Sequence, residues 1–296
     1  MEYALLVPNW APYDQDLMIE LAVEAEKLGY KRIFYTDHLM NPYRATEGYA
    51  EETVEVWALL SYLAAETENI RLGTGVTPIA LRPPALIAKQ VATIDNLSRG
   101  RIDFGVGTGW SEGSFGVIDT DFGDAASRKA RLREGIDLIL ELWESDEPVA
   151  FAGDHYKSRG AVIGPKPVQR PHPPLWVGGW RQNMLEITAE VGNGWIPWNR
   201  TVDSYAKRMT WIRERAKELG RAGDISYGAG LIVLPETEAD ATMSQAHSKQ
   251  PALTTKTIRE WSDRFEDVGC EVLFLMVLPD PRDANAVLYQ VAEELM

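Results

Sequence analysis

The segment Thr36-Asp37-His38 places a carboxylate directly before an imidazole, a pairing suited to acid–base chemistry. Imidazole exchanges a proton near pH 7, and a neighbouring carboxylate can bias which ring nitrogen carries it. The pair cannot hold a metal ion alone, and the other histidines, His155, His172 and His247, are not spaced as ligands. The sequence also lacks a Gly-x-Ser-x-Gly motif, so neither a metal site nor a serine nucleophile is expected.

Two glycine clusters offer a place for an anion. Gly178-Gly179 come before Trp180 and a predicted helix that begins near Arg181. Glycine lets the backbone approach an anion, the start of a helix supplies unpaired N–H groups, and Arg181 adds a charge-assisted contact. The alternative is a tight turn that needs glycine only for its conformation. Both interpretations stay open here and at Gly107-Thr108-Gly109.

Composition and charge exclude several kinds of partner. The 296 residues include 30 Lys and Arg against 44 Asp and Glu, for a net charge of −14. Such a chain is repelled by nucleic acid and by anionic membrane surfaces. The sequence has neither a signal-peptide start nor a run of roughly 18–20 apolar residues that would span a bilayer. Its one cysteine, Cys270, allows no intrachain disulfide. These features predict a soluble, cytoplasmic protein.

Short apolar runs alternate with amphipathic helical segments along the whole chain. Eight such units satisfy the right-handed crossover rule most simply as one (β/α)8 barrel domain covering 1–296. Residues 146–173 break the rhythm and predict an insertion with a small hairpin. An open doubly wound sheet is the alternative fold. It is less favoured because residues 105–109 lack the third glycine of the dinucleotide-binding fingerprint. The predicted strands are 3–7, 33–35, 70–76, 101–107, 175–177, 194–196, 228–234 and 272–278.

In such a barrel the loops after the strands gather at one face, where active sites lie. Both glycine clusters and the Asp-His pair fall in these loops, together with many aromatic residues. This asymmetry favours an enzyme with a flat, conjugated ligand and a small-molecule substrate. The aromatic residues that would form an apolar wall, unless they belong to the core, are Trp10, Tyr43, Trp110, Trp180 and Trp198.

Taken together, these motifs resemble the luciferase-like superfamily of flavin and deazaflavin enzymes. The resemblance rests on Thr36-Asp37-His38, on Ile70-Arg71-Leu72-Gly73-Thr74-Gly75-Val76-Thr77, and on the segments 92–101, 105–110 and 165–179. The resemblance is close over residues 1–200. In the C-terminal third it consists only of the same alternation of strands and helices. The Asp-His pair and the third-to-fourth-strand region look most like the branch that uses coenzyme F420, a deazaflavin.

The resemblance implies that a hydride is exchanged at the deazaflavin C5. It also implies a non-proline cis peptide bond at Gly75-Val76, or one residue earlier, behind the cofactor ring. The residues that it assigns to the cofactor are Asp37, Thr74, Gly75, Val76, Thr77, Gly107, Thr108, Gly109, Gly178, Gly179, Trp180 and Arg181.

The chain differs from some relatives at the position of the proton-transfer group. Those relatives carry an acid directly after the Gly-Thr-Gly turn, where this chain has Trp110. His38 is the leading candidate because its ordinary pKa lies near neutrality. Glu112 is a second candidate of uncertain reach. Asp37 is expected to bond a polar cofactor group or to orient its loop. A structural role for His38 also remains open.

Three functions stay in competition. The first is a coenzyme F420-dependent oxidoreductase, the second an FMN-dependent monooxygenase, and the third a non-catalytic flavin or deazaflavin carrier. Asp37, His38 and Asn199 are polar residues that such carriers tend to lose. The resemblance further implies a homodimer that uses the second helix, around Val54, Trp57 and Leu60, and the third helix.

Overall fold

The computed structural model describes residues 1–42, 52–198, 200–221, 223–234, 253–254, 257–277 and 281–296. The strands are β1 (Glu2–Val7), β2 (Arg32–Tyr35), β3 (Arg71–Thr74), β4 (Thr77–Pro78), β5 (Ile102–Gly107), β6 (Val149–Ala152), β7 (Lys157–Ala161), β8 (Leu175–Gly178), β9 (Gly194–Ile196), β10 (Ser226–Leu234), β11 (Leu253–Thr254) and β12 (Val272–Val277). The helices are α1 (Gln15–Leu28), α2 (Val56–Glu66), α3 (Pro84–Leu97), α4 (Glu112–Gly116), α5 (Ala125–Glu144), α6 (Gln182–Val191), α7 (Val202–Glu218), α8 (Ile258–Asp267) and α9 (Pro281–Leu295).

The main sheet is the closed sheet of a (β/α)8 barrel. Its strands follow one another in the order β12, β1, β2, β3, β5, β8, β9, and β10 pairs with both β9 and β12. The pairings β1–β12, β3–β5, β8–β9 and β10–β12 are all parallel. The predicted barrel is therefore confirmed. Residues 272–277 show why the strands form, because a parallel strand that is covered on both faces needs an uninterrupted apolar run.

The insertion has its predicted hairpin. Strands β6 and β7 pair antiparallel, with a register shift between Val149 and Ala150. The link that follows is held by Asp95, whose carboxylate accepts N–H bonds from Val168 at 2.7 Å and Gln169 at 3.0 Å. Sequence analysis missed the short elements β4 and α4.

The chain divides into two compact units. The first unit comprises residues 1–8, 15–34 and 176–296, and the second comprises 9–14 and 35–175. The single domain over 1–296 stays a prediction. Each unit carries part of the predicted site, and the two parts are described in turn below.

Candidate active site

In the second unit, Asn9 organises the loop that follows β2. Its side chain is completely buried, and its amide nitrogen donates to the His38 carbonyl at 2.9 Å. Its amide oxygen accepts from the His38 N–H at 3.1 Å and from the Thr36 hydroxyl at 2.9 Å. One buried amide thus holds the Thr36 side chain and the His38 backbone, on either side of Asp37. Sequence analysis passed over Asn9, whose only signal was its place at the end of a predicted strand.

Asp37 lies in a buried charge cluster. Its carboxylate accepts two bonds from Arg82, at 2.7 and 2.9 Å, and one from the Thr77 hydroxyl at 2.9 Å. Burial raises the pKa of Asp37, and the charge and hydrogen bonds of Arg82 together with the Thr77 bond oppose that shift. Arg82 also donates to Glu55 at 2.6 Å. These contacts hold both carboxylate oxygens, so Asp37 is positioned to orient the loop.

The His38 ring stands between two indoles. It meets Trp10 edge to face at 5.0 Å between ring centroids, and Trp110 in the same way at 5.3 Å. His38 is 8 % exposed, and burial lowers its pKa to about 4. No hydrogen bond joins either ring nitrogen to any of the described residues. The imidazole is therefore neutral at physiological pH and keeps two nitrogens for a bound molecule.

The segment after β3 is packed tightly against β5. The Gly75–Val76 peptide bond is cis, at the first of the two positions expected. The Thr74 hydroxyl donates to the Gly105 carbonyl at 2.9 Å, and a Cβ on Gly105 would lie 1.7 Å from the Thr74 oxygen. A Cβ on Gly107 would lie 2.6 Å from Val76. The glycines of β5 thus let the two segments meet, which is a packing role.

The loop after β5 carries the other candidates of this unit. Gly109 has φ +75°, and a Cβ there would lie 2.8 Å from the Phe115 ring. Thr108 is half-buried and Trp110 is 59 % exposed. Glu112 is exposed in the first turn of α4, and its catalytic role stays a prediction.

In the first unit, the Gly178-Gly179 turn leads from β8 into α6. Gly179 has φ +124°, and a Cβ there would lie 2.8 Å from Met184. Its carbonyl accepts from the Trp195 indole N–H at 2.9 Å. The turn therefore needs glycine for its conformation. Exposed Arg181 is the residue before α6 and makes no side-chain cap. Met184 N–H already donates to the Arg181 carbonyl at 2.8 Å, so the N–H groups of Gln182 and Asn183 are the ones that stay open to an anion.

Aromatic rings extend from this turn. Trp180 stacks on Trp195 at 5.8 Å, and Trp195 stacks on Tyr205 at 5.3 Å. Trp198 is half-buried, with its ring over Gly230, where a Cβ would lie 2.4 Å away. Tyr43 and Asn199, named from the sequence, lie outside the described residues.

Other kinds of site find no support in the part of the chain that the structure describes. No group of three His, Cys, Asp or Glu residues is arranged for a metal ion there. Burial raises the pKa of Cys270 to about 12, as expected for an inert thiol. Among the described helices, none is long and apolar enough to cross a bilayer.

A sequence profile of the luciferase-like monooxygenase family matches residues 9–269. The chain belongs to this family. Its curated relatives are named as monooxygenases and dehydrogenases, which are oxidoreductases.

Two curated relatives are named for different cofactors. The chain is 30% identical to the FMNH(2)-dependent dimethylsulfone monooxygenase of Pseudomonas putida, over 80% of this chain and 64% of that protein. It is 34% identical to the F420-dependent glucose-6-phosphate dehydrogenase of Kineococcus radiotolerans, over 69% of this chain and 59% of that protein. The chain thus spans less than two thirds of the length of either relative.

Among solved structures, an F420-dependent secondary alcohol dehydrogenase in complex with an F420-acetone adduct superposes with a TM-score of 0.87. The match covers 100% of this chain and 99% of that chain at 18% sequence identity. At this identity the likeness establishes the barrel fold and nothing finer.

Proposed function

We propose that this chain is a coenzyme F420-dependent oxidoreductase that transfers a hydride between the deazaflavin C5 and an organic substrate. The observation that carries the proposal is the neutral His38 ring, held between Trp10 and Trp110 with both nitrogens available. An enzyme that interconverts an alcohol and a carbonyl needs a group that accepts or donates the hydroxyl proton. His38 is our candidate, although burial lowers its pKa to about 4, below the near-neutral value expected from the sequence. Four F420-dependent dehydrogenases at 31–35% identity add support from sequence.

Several residues fit the cofactor. The open N–H groups of the first turn of α6, with Arg181 beside them, suit the phosphate that F420 and FMN both carry. The resemblance assigns Val76, Thr77 and the Asp37 loop to the cofactor ring. When bound, the deazaflavin supplies a two-electron hydride acceptor or donor that does not activate oxygen.

The residues of this chain then manage the proton. In the oxidative direction an imidazole nitrogen of His38 would accept the substrate's hydroxyl proton, while the bound deazaflavin would supply the acceptor for the hydride. In the reductive direction both steps reverse. The indoles of Trp10 and Trp110 pack edge to face against the ring. Burial favours the uncharged imidazole and so makes it a weaker base than an exposed histidine. Asn9 and the Asp37–Arg82 pair fix the loop so that the ring keeps its place.

A second candidate is an FMN-dependent monooxygenase, favoured by the 30% identity to the dimethylsulfone enzyme. Binding separates the two candidates. We expect deazaflavin fluorescence titration to give a dissociation constant at least tenfold below that for FMN. Tight FMN binding without measurable F420 binding would contradict the F420 proposal and favour the FMN-dependent monooxygenase. Binding of both cofactors without turnover would favour the carrier.

A further inference from the structure

The first unit contains a cavity of about 500 Å³ between α6 and α7. It starts beside the Gly178-Gly179 turn, because Trp180 and Gln182 both line it. A volume in this range is typical of small-molecule sites. The residues assigned above to the cofactor ring and to proton transfer do not line this cavity.

The cavity is positively charged in a protein whose net charge is −14. Arg200, Lys207 and Arg208 line it, and none of the described residues on its wall is an Asp or Glu. The guanidinium groups of Arg200 and Arg208 lie 4.7 and 4.5 Å from the centroid of the Trp180 ring. Burial and the neighbouring charge of Arg208 lower the pKa of Arg200. Cations placed this close together favour the binding of an anion beside them.

The remaining lining residues are uncharged, and they are partly polar (Gln182, Thr201 and Ser204) and partly apolar. Trp180, Leu185 and Trp211 line the cavity, and Leu185 is completely buried. A small inorganic anion would satisfy the cations but leave these surfaces against water. An anion with an apolar stem would satisfy both kinds of wall.

We propose that this cavity binds an organic oxyanion, a carboxylate or phosphate carried on an apolar stem. Two sources share this chemistry. One is the charged tail of the cofactor, continuing from the phosphate at Gly178-Gly179, and this source rests on the proposed function. The other is a separate small molecule, which is independent of it.

Phenyl phosphate is the probe that combines an oxyanion with an apolar stem. Its binding is measured by isothermal titration calorimetry, with and without saturating cofactor, to the wild-type chain and to Lys207→Gln and Arg208→Gln. Lys217→Gln is the matched control, since it removes the same charge from the same helix away from the cavity. Arg208→Lys keeps the charge, and thermal unfolding of each variant checks that it folds.

We expect Lys207→Gln and Arg208→Gln each to weaken phenyl phosphate binding about five- to tenfold, the loss typical of a charge-assisted contact. Lys217→Gln should bind like wild type, and Arg208→Lys should lie between. If saturating F420 displaces the probe and Arg208→Gln also weakens F420 binding, the cofactor tail is the occupant. If the probe still binds beside the cofactor, the occupant is a separate anion.

Two results would overturn the proposal. One is a wild-type chain that does not bind phenyl phosphate, and the other is binding that neither Lys207→Gln nor Arg208→Gln changes. Failure of the proposed function looks different. In that case the wild-type chain does not bind F420, while the calorimetry without cofactor still tests the cavity.

Discussion

At the scale of single residues, the burial of His38 sets a pH dependence. Burial lowers its pKa to about 4 in the folded chain, against an ordinary value of 6.5 that returns on unfolding. Between these values the unfolded chain binds the proton and the folded chain does not, so acid favours unfolding. We therefore expect the wild type to lose stability relative to His38→Gln as the pH falls from about 6.5 to 4. Urea unfolding across that range measures it.

The control is His155→Gln, which replaces an exposed histidine of the insertion. Its stability should follow that of the wild type at every pH. A difference between wild type and His38→Gln that stays constant with pH would show that His38 titrates normally in the folded chain.

The buried pair of Asp37 and Arg82 makes a second prediction. Arg82→Leu leaves the Asp37 carboxylate buried without its main partner, and we expect a loss of about 3–5 kcal/mol in the free energy of unfolding. Arg82→Leu combined with Asp37→Asn should be less destabilised than Arg82→Leu alone. Arg133→Leu, which breaks an exposed pair with Asp137, should cost under about 1 kcal/mol.

Urea unfolding of all four proteins checks this ordering. A double variant no more stable than the single one would contradict it, because the cost would then come from lost packing rather than from the uncompensated charge.

Sequence analysis found Asp37 and His38 but missed Asn9 and Arg82. An Asp-His dipeptide after an apolar run is visible in the sequence alone. Arg82 lies 45 residues from its partner Asp37 in the sequence, and Asn9 lies 29 residues from its partner His38. Such contacts exist only once the strands pair, so one sequence cannot reveal them.

At the scale of elements, the turn between β8 and α6 gives a third prediction. The sequence left open whether glycine at 179 serves an anion or a turn. Its φ of +124° and the nearby Met184 show that the turn itself requires glycine. We therefore expect Gly179→Ala to cost about 1–3 kcal/mol in the free energy of unfolding.

Gly116→Ala is the control, since it has open space around it and an ordinary φ. Arg181→Gln isolates the anion contact and should weaken cofactor binding several-fold with little change in stability. Unfolding and cofactor titration measure both properties. Full stability of Gly179→Ala would contradict the turn requirement.

The long elements were predictable because their apolar periodicity is strong. All eight barrel strands lie where short apolar runs predicted them, within a few residues. Helix α4 was missed because its five residues include two glycines, which weaken helical patterns. Strand β4 has only two residues, so it carries no period at all.

At the scale of the whole molecule, the homodimer remains a prediction from the family resemblance. Trp57 is 2 % exposed and Leu60 is completely buried, so neither supplies a surface contact. The exposed apolar side chains of α2 and α3 include Tyr62, Leu86 and Leu97. We expect light scattering to give a dimer at micromolar concentration, and Tyr62→Glu to weaken it. Leu219→Glu, exposed at the end of α7, should have no effect, and a wild-type monomer would contradict the prediction.

The barrel was predictable as a whole, but its cofactor and substrate depend on a few side chains that the fold does not specify. Relatives of this chain are named for both F420 and FMNH(2). The cationic cavity also escaped sequence analysis, because Arg200, Lys207 and Arg208 become neighbours of Trp180 only through helix packing.

The most direct test of the central claim is anaerobic turnover of F420, followed at 420 nm with a panel of alcohols and, in reverse, carbonyl compounds. We predict substrate-dependent bleaching without oxygen, slowed about 10²–10⁴-fold in His38→Gln while F420 binding changes little. His155→Gln should turn over like the wild type. No F420 turnover, together with substrate-dependent oxygen uptake in the presence of reduced FMN, would contradict the account.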